Sequence, residues 1–524
     1  MSQPKQPRAA FPYLPGIVQL YFRFLMRLHL LLLAGLPLLA PAQTPAPAPA
    51  PSPAPPAATA CGCAQNFSRM TQLIETNYAG YRDKVTPATR PQLDSLTAAI
   101  RAQADTARAG TCRLVLAKWL QFFRDGHLYV QNEQVSAAAN AAADATAIRA
   151  RFASAPRLPW TRASFRTYLD NPVISKKPLE GIWRGGVYEV GIVAGAAGQY
   201  QGFILKADSI WWTPGQVKFT FAAPGSAPGA AGPGTLYLRD HTPAPRQVRV
   251  VSDGVLDMQS SWYRTYPRPV AVPAATTSHS FRMLDDTTAL YRIASFDGNY
   301  RSLLDSLTRA NKANLRRTRL LLLDLRDNGG GSDASYSSLE PYLYTQPVRE
   351  VYSQLWSTPD NNARYDRNSQ LYPSLPWIVK RYFPVLRRRL DRRLGQMVWQ
   401  GISKKPVQVS KMSRRRQHPE LTRVAVLQNR GCASTTEQFL LRARQSQKTT
   451  LFGENSAGVL DYANVHSLPL PCDQLSLTWA TSRSQRLDRG EGIDNVGIAP
   501  QVRLDPAAPD LVEQVRAWYR QPRR

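Results

Sequence analysis

A hydroxyl, an imidazole, a glycine turn and an acidic turn are the parts of this chain that could do chemistry together. Asn429-Arg430-Gly431-Cys432-Ala433-Ser434-Thr435-Thr436-Glu437 sits between an apolar run at 424–427, the length of a buried strand, and a helix-forming stretch at 438–444. Ser434 is thereby exposed at a strand-to-helix turn, beside the unpaired N–H groups and positive end of the helix. Alone it reads as an ordinary helix cap. At 320–332, Leu-Leu-Leu-Leu-Asp-Leu-Arg-Asp-Asn-Gly-Gly-Gly-Ser reads as a buried strand ending in three glycines, which let backbone N–H groups approach a ligand. The Lys and Ser/Thr of a nucleotide loop are missing from it, which leaves an oxyanion hole as the chemical option. Asp125-Gly126-His127 carries one of only six histidines, which alone is a surface residue. Gly453-Glu454-Asn455-Ser456-Ala457-Gly458 and the 490–500 turn, with Glu491 and Asp494, are ordinary loops when taken singly.

In this order, these stretches resemble the tail-specific, or C-terminal processing, serine peptidases, which share a fold with the Clp protease and crotonase enzymes. The 324–331 run is similar to the family's Asp-Leu-Arg-x-Asn-x-Gly-Gly signature. The turn at 431–437 resembles its nucleophile turn, with the serine three residues before a glutamate. The 453–458 segment resembles Gly-Glu-x-Thr-x-Gly, and 494–502 resembles the closing Gly-Val-x-Pro-Asp-Val element, with Gln501 in place of Asp. The likeness covers about 280–505 and reaches back to His127.

The resemblance implies an α+β fold with α/β layers, Ser434 as nucleophile, and the backbone amides of Gly330 and Thr435 as oxyanion donors. It implies that Asp324 and Arg326 pair to hold the glycine turn, and that no cofactor or metal takes part. The family's best-known branch uses a lysine directly after Gly-Glu-x-Thr-x-Gly, but Val459 stands there and Lys448 lies before the turn. The tricorn-core branch uses a histidine from the N-terminal part and an acid near the C-terminal Gly-x-x-Pro element. That pattern implies His127 as base and Asp494 or Glu491 as its orienter, directly or through a bridging hydroxyl. Peptides or unfolded protein tails are the implied substrates. The family's retinoid-carrying relatives make a catalytically inactive envelope binding protein the alternative.

Several elements must position these residues. Residues 1–42 read as a signal peptide or N-terminal extension, with Arg27 and His29 before an apolar run and Ala40-Pro41-Ala42 as cleavage site. The Pro/Ala-rich stretch 43–59 reads as a stiff spacer. Residues 60–158 show helical spacing, 159–278 short aromatic and β-branched runs of a sandwich or small barrel, and 279–524 alternating strands and helices of the peptidase core. An exported, periplasmic or extracellular, chain is expected. Its cysteines, Cys61, Cys63, Cys112, Cys432 and Cys472, allow one or two disulfides and leave at least one thiol. The formal charge of +29 is concentrated in an Arg-rich insertion at about 346–420, where Leu386, Leu390, Leu394 and Met397 fall at helical spacing. For an exported basic helix the matching partner is an anionic envelope surface rather than nucleic acid, the alternative being a solvated helix face.

Overall fold

The computed structural model describes residues 61–107, 109–132, 148–150, 152–195, 198–207, 210–223, 231–239, 241, 243–258, 260–270, 279–371, 377–401, 404–412, 418–505 and 510–521. The expected signal peptide, the spacer and most of the Ala-rich run at 137–150 lie outside these residues. Among the described residues no helix is long and apolar enough to cross a membrane, and no cluster of side chains is arranged to hold a metal ion.

Six strands form the central sheet, in the order Ser280–Met283, Thr288–Arg292, Leu320–Asp324, Arg423–Gln428, Thr449–Gly453, Val502–Arg503. The first pair is antiparallel and the others are parallel. Parallel strands are covered on both faces, which accounts for the unbroken leucines of 320–323. One face packs Leu321, Leu323, Val424 and Val426 against Leu304, Phe439 and Leu440 of two helices. The other packs Leu322, Ala425 and Phe452 against Val515 of the C-terminal helix Leu511–Arg520.

A second sheet is antiparallel and brings the N-terminal region onto the core. Tyr129–Asn132 pairs with Leu475–Ser484, which also pairs with Tyr462–Pro469 and Ser353–Trp356. The helices Cys63–Asn77, Arg90–Thr106 and Ala109–Leu120 lie on this sheet, packing Phe67, Met70, Trp119 and Phe123 with Leu477 and Trp479. The fold is therefore α+β.

The β-rich segment closes into an eight-stranded barrel, from Gly181–Gly185 to Ser261–Tyr266, because its first strand pairs with both its neighbour and the last. Closure leaves no edge open. Trp183, Trp212, Phe219, Phe221 and Trp262 fill the interior, so the barrel is a packed core and not a channel.

The Arg-rich insertion departs from the expected helix. The helix Trp377–Asp391 ends before Leu394, which is half exposed, and Met397 opens the strand Met397–Trp399. Leu386 and Leu390 are buried. Arg387 pairs with Asp366 and Asp391, and Arg389 donates to the Gly401 carbonyl at 3.0 Å, so part of the charge is used within the fold.

Two disulfides join sequence-distant parts. Cys61–Cys472 ties the start of the described chain to the turn after Tyr462–Pro469, and Cys63–Cys112 staples two N-terminal helices. Cys432 is a buried free thiol whose pKa burial pushes up to about 12. Peptide mapping without reduction should recover these two bridges, and only Cys432 should react with a thiol reagent, after denaturation. Removing Cys63–Cys112 as a double Ala variant should cost about 2–4 kcal/mol in denaturant unfolding.

Candidate active site

Three loops leave the central sheet at one edge, because Asp324, Leu427 and Phe452 are aligned at the carboxyl ends of adjacent parallel strands. These are the glycine turn, the Ser434 turn and the 454–459 segment. The carboxyl ends of parallel strands are where α/β sheets place their ligands.

At Ser434 the backbone takes φ 55° and ψ −120°, a region that side-chain-bearing residues rarely adopt. What holds it there is Glu437, which is fully buried. Its carboxylate accepts from the Ser434 N–H at 3.1 Å, the Gly458 N–H at 2.7 Å, the Val459 N–H at 2.8 Å and the Ser456 hydroxyl at 2.6 Å. Burial raises its pKa above the usual carboxylate range, and the donors pull against that rise. The Ser434 N–H also donates to the Val459 carbonyl at 3.1 Å. Ser434 is the N-cap residue of the helix Thr435–Ala443, and the bond from its N–H to Glu437 is the return half of a capping box.

The glycine turn is seated on Asn328, also fully buried. Its amide donates to the Ile293 carbonyl at 3.1 Å, and its side-chain oxygen accepts from the N–H groups of Phe296 at 3.2 Å and Gly330 at 3.1 Å. Gly330 has φ 103°, and a β-carbon there would lie 2.7 Å from the Ala433 carbonyl and 2.9 Å from Ser434 Cβ, so the turn can approach the serine only as glycine. The two expected oxyanion donors therefore flank Ser434 but are not equivalent. The Gly330 N–H is turned onto Asn328, an Asn bonding two residues ahead. The Thr435 N–H has no hydrogen-bond partner among the described residues. Asp324 pairs with Arg326 through two contacts of 2.9 and 2.7 Å beneath the turn. Burial alone would raise the Asp324 pKa, but Arg326 and Arg292 bring it below the ordinary value.

His127 arrives from the N-terminal helical region. The short helix Gln121–Phe123 is ended by Arg124 in the left-handed conformation, after which Asp125 accepts the His127 N–H at 2.8 Å. The imidazole Nε2 lies 3.3 Å from Ser434 Oγ and Nδ1 lies 2.6 Å from the Tyr462 carbonyl oxygen. A carbonyl only accepts, so Nδ1 holds the proton and Nε2 turns its lone pair to the serine. Val459 stands against this turn: a β-carbon on Gly126 would meet its methyls at 2.9 Å. Lys448 precedes the strand whose opposite end carries the site, and its amine donates to the His418 carbonyl at 3.0 Å.

The expected orienters of the imidazole, Asp494 and Glu491, make no hydrogen bond or ion pair with His127 among the described residues. Glu491 is held at the surface by Arg349 at 3.1 Å and Arg489 at 3.2 Å, which lower its pKa. Asp494 is spent on the backbone, with Oδ1 accepting from the N–H groups of Leu460 at 3.2 Å and Asp461 at 2.9 Å. Its Oδ2 is buried without a hydrogen-bond partner, and burial, then Asp125, push its pKa up to about 7. Asp461 answers by accepting the Asp494 N–H at 2.9 Å and pairing with Arg486 at 3.0 Å. The sequence assigns no role to Asp125, Tyr462 or Glu437. Asp125 and Glu437 nevertheless leave a signal there, the one two residues before the histidine and the other three residues after the serine, whereas Tyr462 leaves none. The barrel reaches the rim as well: Asp257 lies 3.2 Å from Arg249 and 3.7 Å from Arg430 of the serine turn, and Arg249 also pairs with Glu454.

Residues 287–504 match the model of peptidase family S41. The chain carries an S41 peptidase domain. It holds the serine turn, the glycine turn and the acidic turn, while His127 is contributed from outside it. Among solved structures, mature CPAF complexed with lactacystin is similar at 13% identity over 87% of this chain and 97% of that one, with a TM-score of 0.45. The photosystem II D1 C-terminal processing protease is similar at 13% identity over 87% and 96%, with a TM-score of 0.35. The tricorn protease is similar at 12% identity over 87% and 36%, with a TM-score of 0.38. A search among curated proteins finds no match.

Glu437→Ala removes the acceptor of the Gly458 and Val459 N–H groups and the Ser456 hydroxyl and leaves the Ser434 N–H only the Val459 carbonyl, so it should lower the unfolding free energy by about 3–5 kcal/mol in urea titrations. For Asp494, whose ordinary value is 3.8, the folded pKa is raised, so its stabilising share is full below about pH 4 and is lost as pH rises through about 7. The stability of the unmodified protein, measured relative to Asp494→Asn, should accordingly fall between pH 4 and 8. A difference that stays constant with pH would contradict this assignment.

Proposed function

We propose that this S41 domain is a serine-type peptidase acting on peptides or protein tails in the cell envelope or outside it. The observation that carries the reading is the 3.3 Å approach of His127 Nε2 to Ser434 Oγ, with Nδ1 fixed on the Tyr462 carbonyl. Ser434 Oγ attacks the peptide carbonyl while His127 Nε2 takes its proton, then returns it to the leaving amine. The Thr435 N–H faces the developing oxyanion, where one such donor contributes about 2.7–4 kcal/mol. The Gly330 amide joins it once it leaves Asn328. Val459, packed on the histidine turn, and Lys448, at the far end of its strand, leave neither position to supply a lysine base.

The same approach of base and hydroxyl favours an enzyme over a carrier that kept the fold. Ser434→Ala and His127→Ala should each lower peptide turnover by about 10⁴-fold or more with folding unchanged. Full activity in both variants would leave the binding-protein reading standing.

Export agrees with the two disulfides and with the N-terminal apolar run. Arg381, Arg388, Arg392 and Arg393 are exposed on or just after the basic helix and suit an anionic envelope surface. Sedimentation with phosphatidylglycerol vesicles should therefore weaken as salt rises, and charge reversal at Arg388, Arg392 and Arg393 should abolish it. Equal sedimentation by the reversed variant would leave these arginines as a solvated face.

A further inference from the structure

We infer that Asp125, locked in place by Tyr78, is the positioning carboxylate of His127, in the role that sequence reasoning gave to Asp494 or Glu491. The inference rests on the peptidase reading above. When His127 takes the serine proton it becomes a cation, and the Tyr462 carbonyl that directs Nδ1 carries no net charge to answer it. Asp125 Oδ1 lies 3.9 Å from Nδ1, with its side chain only 1% exposed. At that separation and burial, a carboxylate steadies an imidazolium far more than it would in water.

The carboxylate is held from two sides. Oδ1 accepts the backbone N–H of His127 at 2.8 Å, and Oδ2 accepts the Tyr78 hydroxyl at 2.8 Å. Tyr78 is buried, and burial, then Asp125, raise its pKa well above the ordinary value, so its hydroxyl keeps the proton it donates. The groups facing Asp125 are His127 on its own turn, Tyr78 at the end of the first helix, and Asp494 from the C-terminal loop. Tyr462 is also close to Tyr78, but its hydroxyl is used on Asp83 at 2.8 Å. Two carboxylates near one another are not both readily charged. The unpartnered oxygen is on Asp494, whereas both oxygens of Asp125 have donors. The pair is thus built to leave the negative charge on Asp125, beside the imidazole.

One set of measurements decides it: the rate of covalent labelling by a fluorophosphonate, and kcat and KM on a peptide substrate, from pH 5 to 9. Asp125→Asn should lower kcat and labelling by about 10²–10⁴-fold with KM little changed. It should also move the base limb of the pH profile down by about one unit, because an anion that favours the imidazolium is gone. Tyr78→Phe should do the same more weakly, about tenfold, and Asp494→Asn should leave the limb in place. Thermal unfolding checks each variant. If Asp125→Asn does not fold, Tyr78→Phe carries the test through its pH limb. An unmoved limb in both variants, or a shifted limb in Asp494→Asn alone, overturns the inference. Ser434→Ala and His127→Ala run alongside: if either still labels, the peptidase reading fails; if both are silent while Asp125→Asn behaves as the unmodified protein, only this inference fails.

Discussion

A single buried carboxylate sets the shape of the site. Glu437 gathers the Ser434 N–H, two N–H groups of the 458–459 segment and the Ser456 hydroxyl around itself. Without those bonds little would hold Ser434 at a positive φ. The same bonds draw the Val459 backbone to the serine, and the Val459 side chain then meets Gly126 of the histidine turn. One carboxylate therefore couples three loops from different elements. Its burial is disfavoured by desolvation and sustained by its donors, which makes the arrangement rigid but intolerant of losing any member.

The second constraint is that the base comes from a part of the chain far from the nucleophile, outside the matched region 287–504. His127 follows a helix of the N-terminal region, yet its ring is aimed by a carbonyl of the 462–469 strand. Those two parts stay in register because Tyr129–Asn132 and Tyr462–Pro469 pair with opposite edges of the same strand, Leu475–Ser484. The Cys61–Cys472 bridge fastens the outer end of that hairpin to the first helix. The sheet register thus fixes where the imidazole points.

Much of this was legible in the sequence, and the reasons for the rest are physical. Gly330 had to be glycine for the turn to reach Ser434, and the serine and glycine turns follow strands whose apolar runs are plain, so their motifs and the α+β fold could be read directly. The aim of the imidazole could not. It depends on a main-chain carbonyl at Tyr462, which has no side-chain signature, and on a hairpin register that spacing does not reveal. Asp494 carries the expected residue type at the expected place, yet its oxygens are taken up by the Leu460 and Asp461 amides or left buried. Charge counting overstated the basic helix in the same way, since Arg387 and Arg389 are satisfied internally. The barrel was read only as sandwich or barrel, because closure is settled by pairing between its first and last strands, far apart in sequence.

The central claim is that Ser434 is a nucleophile activated by His127. Its most direct measurement is mass-spectrometric mapping of the covalent adduct formed when the folded chain is treated with a fluorophosphonate. The account predicts a single adduct on the peptide containing Ser434, absent from heat-denatured protein and absent when His127 is replaced by Ala. An adduct on another residue, or labelling of Ser434 that is unchanged without His127, would contradict it.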